Sequence, residues 1–153
     1  MGLDLQRGDR AGPVSSAEAD REQGGLVAVK LNHTIVHCHD KRASAQFLVE
    51  ILGLPEPTTY GPFVVVQVDN ELSLDFLEDE DEDVVRPQHY AFLVGEAEFD
   101  QIYGRILERG LPYWADPSHQ RPQEVNTNDG GRGLYWDDPD GHVLEIITVP
   151  YGG

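Results

Sequence analysis

Two histidines and two carboxylates that could bind a metal ion occupy matching positions in the two halves of the chain. His33 and His89 each lie in the first predicted strand of a half, and Asp75 and Glu145 each lie in the last. Two imidazoles and a carboxylate around one centre are ligands for a divalent metal ion. If the halves are related by a pseudo-twofold axis, these four side chains can converge on one point.

Glu145 lies within the apolar stretch VLEIIT, in a strand that the sequence predicts to be buried. A buried carboxylate is costly unless another group holds it, and coordination to a metal ion would compensate that cost. A single strand histidine is more often a core residue with satisfied hydrogen bonds than a ligand. The symmetric placement of all four side chains therefore carries the metal hypothesis.

The elements that must position these residues follow one pattern in the first half. The segment VAVKLNHTIVHC, residues 27–38, predicts a strand. A helix follows, with Asp40 as its N-cap and Gly53 as its C-terminal stop. The segment FVVVQVDNELSLDFL predicts a hairpin that turns at Asp69–Asn70, and the acidic run 78–83 predicts a solvated loop.

The second half repeats this order. QHYAFLV predicts a strand, EAEFDQIYGRILERG an amphipathic helix that stops at Gly110, and RGLYWDDPDGHVLEIITV a hairpin that turns at Asp140–Gly141. His33 precedes Gly53 by 20 residues, and His89 precedes Gly110 by 21. An internal duplication fixes topology better than local propensity does. We therefore expect an α+β fold of two βαβββ units that form a partly open mixed β barrel around the site.

Composition excludes several classes of partner. The chain has 153 residues and a net charge of −17, which argues against binding to nucleic acid or to an anionic membrane. Its one cysteine, Cys38, cannot form an internal disulfide, which suits a cytoplasmic location. Residues 1–27 contain few large apolar side chains and predict a disordered tail, so the domain is expected to span residues 28–151.

Three motifs resemble the vicinal oxygen chelate superfamily, which includes glyoxalase I, extradiol dioxygenases and bleomycin-binding proteins. They are LNHTIVHCHD, PQHYAFLV and, most specifically, YWDDPDGHVLEI. The resemblance implies that His33, His89 and Glu145 bind a divalent ion, whether Fe2+, Mn2+, Zn2+, Ni2+ or Co2+. It places Asp75 where some relatives have a fourth ligand, so this shorter carboxylate is either a ligand or a base that acts beside the metal.

The resemblance also implies the chemistry. Members chelate a small substrate through two adjacent oxygens and stabilise an oxyanion, so we expect a dioxygenase, lyase or isomerase. In extradiol dioxygenases, the tyrosine at the position of Tyr135 lies beside the substrate. Their catalytic histidine is missing from VNTNDGGRG, where Asn128 can hydrogen-bond but cannot transfer a proton. His37 shares a strand face with His33 and is expected to line the pocket or its rim.

The loop that contains Arg132 is expected to lie at the mouth of the site, with Arg132 as a clamp for an anionic group of the substrate. Relatives of this length usually form homodimers, and in several the two subunits share the ligands. The alternative to an enzyme is a metal-free protein that sequesters a drug or natural product, as the bleomycin-binding relatives do. Such a protein would not need the three metal-binding residues.

Overall fold

A computed structural model of the chain describes residues 29–69, 71–78 and 85–151. The predicted tail, residues 1–27, lies outside the described residues, as do Asn70 of the first predicted turn and most of the acidic run. All helices and strands described here belong to one compact unit, Leu31–Gly153. Neither helix among the described residues has the length and apolar character needed to span a bilayer.

The first module consists of β1 (His33–Cys38), α1 (Lys41–Leu52), β2 (Thr58–Tyr60), β3 (Phe63–Gln67) and β4 (Ser73–Glu78). Its sheet has the order β1-β4-β3-β2, in which β1 and β4 are parallel and the other pairs are antiparallel. The predicted ends of α1 are confirmed. The Asp40 side chain accepts from the backbone N–H groups of Arg42 and Ala43, and Gly53 adopts the left-handed conformation at φ 73°.

The second module consists of β5 (His89–Leu93), α2 (Glu96–Glu108), β6 (Gly133–Asp137) and β7 (Val143–Ile147). Its sheet has the order β5-β7-β6, again with the first and last strands parallel. Isolated bridges from Trp114 to Tyr135 and Pro122 stand where the first module has β2. The predicted duplicated α+β architecture is confirmed, and neither sheet closes into a barrel.

The strand register shows the duplication residue by residue. In the first sheet, Asp75 lies opposite Ile35, two residues beyond the histidine of β1. In the second sheet, Glu145 lies opposite Ala91, two residues beyond the histidine of β5. Since side chains alternate along a strand, each carboxylate shares a sheet face with the histidine of its own module.

The opposite face of each sheet packs against its helix and forms the core. In the first module, α1 covers alternate residues of β1, β3 and β4; in the second, α2 supplies three buried apolar side chains to the same core cluster. Strand residues of this cluster are Val36, Cys38, Val64, Val66, Leu74, Phe76, Leu134, Trp136, Leu144 and Ile146. The faces that carry the histidines and carboxylates are therefore the ones left without a helix.

A buried histidine joins the two modules. His142 is fully buried, and its Nδ1 accepts from the backbone N–H of Gln88 at 2.9 Å. Its Nε2 donates to the backbone carbonyl of His37 at 2.8 Å. One imidazole thus connects the start of β5 with the end of β1, and hence the two strands that carry the predicted histidine ligands.

The turn before His142 makes a second connection. The Asp140 carboxylate accepts from the backbone N–H of His39 at 2.9 Å and from its Nδ1 at 2.6 Å. It also accepts from the hydroxyl of buried Ser44 at 2.5 Å. The β6–β7 turn is therefore anchored to the first module at the start of α1.

Two details of the predicted strands differ from the structure. The first strand begins at His33, opposite the start of β4 at Ser73, so residues 29–32 of the predicted strand are not in a strand. Residues 27 and 28 of that prediction lie outside the described residues. The predicted βαβββ order includes a strand at the place of β2, but no segment was assigned to it, since three exposed residues are too few to show an alternating pattern.

We expect Asp140→Ala to lower the free energy of unfolding by about 2–3 kcal/mol, because it leaves the buried Ser44 hydroxyl and the His39 N–H without their acceptor. Urea denaturation measures this change. Glu108→Ala, which removes an exposed carboxylate from the end of α2, is the control and should change stability by less than about 0.5 kcal/mol. Equal unfolding midpoints for the two variants would contradict the anchoring role.

Candidate metal centre

His89 and Glu145 meet on the uncovered face of the second sheet. The Nε2 atom of His89 lies 3.1 Å from Oε2 of Glu145. Nδ1 of the same ring lies 2.9 Å from the carbonyl oxygen of Val143. A carbonyl can only accept, so Nδ1 carries a proton and the neutral ring turns the lone pair of Nε2 toward the carboxylate. A cation, either a proton or a metal ion, is needed between these two atoms.

The geometry of this pair fits a metal ion. A histidine ligand commonly donates its other ring N–H to a backbone carbonyl, as His89 does to Val143. Two ligand atoms each about 2.1 Å from an ion and at right angles to one another lie about 3 Å apart. The distance of 3.1 Å between the two side chains matches that separation. Imidazole nitrogen and carboxylate oxygen are ligands for Zn, Fe, Mn and related divalent ions.

Two tyrosines surround the buried carboxylate. Glu145 is 1% exposed, and its Oε2 also accepts from the hydroxyl of Tyr151 at 3.0 Å. Tyr135 lies opposite Glu145 in the sheet, and its ring stacks on that of His89. Burial and a hydrogen bond with Glu145 raise the pKa of Tyr135 far above its usual value. The phenol therefore stays protonated and can donate.

A cleft of about 180 Å³ opens beside Glu145. One wall is the segment from residue 126 to 132, which includes a single 3₁₀ turn (Asn128–Gly130), and the other is the C-terminal segment after β7. The lining residues are Asn126, Asn128, Asp129, Arg132, Tyr135, Glu145, Ile147, Val149 and Tyr151. The structure therefore brings the predicted Tyr135, Asn128 and Arg132 to one cleft with Glu145.

The guanidinium of Arg132 is already engaged by α2. Its Nε donates to the Glu96 carboxylate and its Nη1 to the Asp100 carboxylate, both at 2.7 Å. It also lies 4.2 Å from the centre of the Phe99 ring. The hydrogen bond with Asp100 and that with Glu96 raise the pKa of Arg132. Its predicted role as a clamp for an anionic substrate stays a prediction.

His33 and Asp75 line a second cleft, of about 540 Å³, on the uncovered face of the first sheet. The Asp75 carboxylate is 9% exposed and accepts from the hydroxyl of Ser73 at 2.7 Å. Nδ1 of His33 lies 2.8 Å from the side-chain oxygen of Asn32. The walls are formed by Asn32, His33, Ile35, Thr58, Thr59, Tyr60, Phe63, Val65, Ser73 and Asp75.

The structure thus places the four residues that were expected to converge in two separate pairs, His33 with Asp75 and His89 with Glu145, which we call half-sites. Within residues 29–69, 71–78 and 85–151, it does not group three histidine, cysteine or carboxylate side chains closely enough to hold an ion. His89 and Glu145 meet, whereas His33 and Asp75 line another cleft. The predicted His37 lies on the same strand face as His33 but does not line either cleft, and its pocket role stays a prediction.

Two residues of the cleft were not identified from the sequence. Tyr151 lies beyond the last strand in the segment VPYGG, where no pattern marks a contact with Glu145. Asn126 is buried, donates to the Ala115 carbonyl and accepts from the N–H of Asn128, so it holds the cleft wall in place. A side chain at Gly133 would collide with this amide, so close packing against Asn126 explains the glycine at this position.

Comparisons with known proteins agree with this architecture. Residues 30–146 match the Glyoxalase/Bleomycin resistance protein/Dioxygenase superfamily. The chain is similar to the oxidase ChaP-H1, with 68% identity and a TM-score of 0.79 over 82% of this chain and 100% of that one. It is 30% identical to the glutathione transferase FosA of Serratia marcescens over 76% of this chain and 78% of that protein.

A shorter match of 60 residues, 42% identical, relates it to the metallothiol transferase FosB of Shouchella clausii (strain KSM-K16). That match spans 39% of this chain and 37% of FosB. Because the superfamily match covers most of the chain and nearly all of the helices and strands of both modules, the chain belongs to the glyoxalase/bleomycin resistance protein/dioxygenase superfamily.

Proposed function

We propose that the protein is a divalent-metal-dependent enzyme that acts on a small substrate with two adjacent oxygen atoms. The observation that carries this proposal is the pairing of His89 and Glu145. Their facing atoms lie 3.1 Å apart, the separation expected of two neighbouring ligands of one metal ion, and the other ring nitrogen of His89 is held by a backbone carbonyl. The relative FosB is a metallothiol transferase, which also supports a metal.

Oxidation is the chemistry that the comparisons favour, because the relative with 68% identity is an oxidase. Two histidines and one carboxylate with open positions are typical of non-haem iron(II) oxygenases. When bound, the metal would hold the two substrate oxygens and stabilise negative charge on them. Lyase and isomerase reactions use the same charge stabilisation and remain within the proposed class.

The chain's own residues would orient the substrate and supply protons. The protonated Tyr135 hydroxyl can donate a hydrogen bond beside Glu145. Asn128, on the cleft wall, can donate or accept but cannot transfer a proton. Asp75, the carboxylate of the other half-site, would act as a base. Its side chain is one methylene shorter than that of Glu145 and accepts a hydrogen bond from Ser73.

We also propose a homodimer with shared sites, and the two half-sites support it. Each holds one histidine and one carboxylate at the same register on an uncovered sheet face. The two faces carry exposed apolar side chains, Ile35 at 42%, Tyr60 at 76% and Leu93 at 60% exposure, which a second chain would cover. In this arrangement, His33 and Asp75 of one subunit would face His89 and Glu145 of the other.

Metal binding provides the first test. We expect His89→Ala to bind a divalent ion more than about 100-fold more weakly than the parent, because even loss of a residue that only orients a ligand costs up to that factor. Elemental analysis and competition with a coloured chelator measure the change. His119→Ala, which alters a histidine stacked on Trp114 outside both half-sites, is the control. Equal metal affinity in His89→Ala would exclude His89 as a ligand.

Subunit mixing tests whether the site is shared. A His33→Ala chain mixed with a Glu145→Ala chain should regain metal binding, because one of the two sites in each mixed dimer then has its full ligand set. A His89→Ala chain mixed with a Glu145→Ala chain is the control, since both lesions lie in the same module and neither site is restored. If verified mixed dimers of the first pair bind no more metal than this control, the site is not shared.

Asp75→Asn separates the two roles of this carboxylate. We expect the variant to retain metal to within about threefold while Glu145→Gln loses it, because Asp75 is held by the Ser73 hydroxyl and acts beside the metal. Metal content after dialysis against a weak chelator measures both variants. A loss in Asp75→Asn as large as that in Glu145→Gln would make Asp75 a ligand instead.

A metal-free binding protein is the second candidate. It is favoured by the hydrogen bond from Tyr151, which partly satisfies the Glu145 carboxylate with a group of the protein itself. Elemental analysis of protein purified without added metal and without chelators distinguishes the two. About one divalent ion per chain supports the enzyme, and failure to take up added metal supports the binding protein.

A further inference from the structure

We propose that the part of the substrate remote from its two chelating oxygens is uncharged and largely apolar. This inference rests on the proposed function, since it concerns what the same site accepts. It comes from the charges and the apolar side chains on the walls of the two half-sites.

The cleft beside Glu145 offers no free positive charge among its lining residues. Arg132 is the one lysine or arginine on its described walls, and its guanidinium donates to Glu96 and Asp100 on α2. Two carboxylates thus surround one cation. Asp129 adds a further negative charge to the same wall. An anionic group that entered here would meet carboxylates without a compensating cation.

The cleft of the first module adds no cation to balance this. Its described walls contain neither lysine nor arginine. They contain the Asp75 carboxylate and four large apolar or aromatic side chains, Ile35, Tyr60, Phe63 and Val65. If the two modules of different chains face each other, the assembled pocket therefore combines acidic groups with apolar surface.

The metal ion could neutralise only the oxygens that it binds. A phosphonate or carboxylate elsewhere on the substrate would need a lysine or arginine, which the described residues of the two walls do not offer in free form. The apolar side chains of both walls instead favour a hydrocarbon or aromatic body. The relative FosA is a glutathione transferase, but glutathione carries two carboxylates and does not fit this description.

Two catechols with the same chelating oxygens test the inference. The zinc-loaded protein is titrated calorimetrically with 4-methylcatechol and with 3,4-dihydroxybenzoate at pH 7.5 and low salt. The same pair titrated against zinc ions in buffer gives the intrinsic ratio of the two chelators. After correction for that intrinsic ratio, we expect the protein to bind 4-methylcatechol at least about tenfold more tightly than 3,4-dihydroxybenzoate. The carboxylate of the second compound would be repelled by the carboxylates of the pocket, and this repulsion is poorly screened at low salt.

A double variant releases the bound arginine. Glu96→Gln with Asp100→Asn removes both carboxylates that hold Arg132, so we expect the affinity for 3,4-dihydroxybenzoate to rise several-fold and that for 4-methylcatechol to stay unchanged. Glu98→Gln with Glu108→Gln removes the same charge from the same helix without touching these contacts. This control should leave the ratio of the two affinities as in the parent.

The outcomes separate this inference from the proposed function. If the protein binds zinc but both catechols bind in their intrinsic ratio, or the carboxylate binds tighter, the inference is wrong and the metal site stands. Zinc binding with no affinity for 4-methylcatechol also overturns it. If none of Zn2+, Fe2+, Mn2+, Ni2+ and Co2+ binds, the proposed function fails and the inference fails with it.

Discussion

The parallel pairing of the first and last strand in each module is the constraint on which the site depends. It sets Glu145 two residues beyond the register partner of His89, so that the two side chains meet on one face at 3.1 Å. Parallel strands also require a crossover, which here is a helix, and that helix covers the other face. The same connection therefore brings His89 and Glu145 together and leaves their face open.

The turn before β7 explains why the two modules keep a fixed relation. In sequence, Asp-Pro-Asp-Gly marks a tight turn, and the Asp138 carboxylate indeed accepts from the backbone N–H groups of Asp140 and His142. The structure adds a second role, because the side chains of Asp140 and His142 reach the first module at Ser44 and His37. The motif that forms this local turn therefore also connects the two modules by hydrogen bonds.

The features that could be predicted from the sequence are those that show as periodic or repeated patterns along the chain. Contacts between side chains of distant segments that no such pattern marks could not be predicted. Both helices, the duplication and the pairing of His89 with Glu145 follow from spacing along the chain. The bond from Tyr151 to Glu145 could not be predicted, since it depends on how the chain returns after β7. The same holds for Arg132, whose charge was expected to be free but is held by two carboxylates on α2, 36 and 32 residues away.

The two modules differ in the side chains that surround their carboxylates. At the position opposite the carboxylate, the first module has Val65 and the second has Tyr135. A valine contributes only apolar wall, whereas the tyrosine stacks on His89 and donates toward Glu145. The longer carboxylate also lies in the second module, where it reaches its histidine. The duplication therefore supplies the same strand register twice, and the side chains around it bring a histidine and a carboxylate together in the second module.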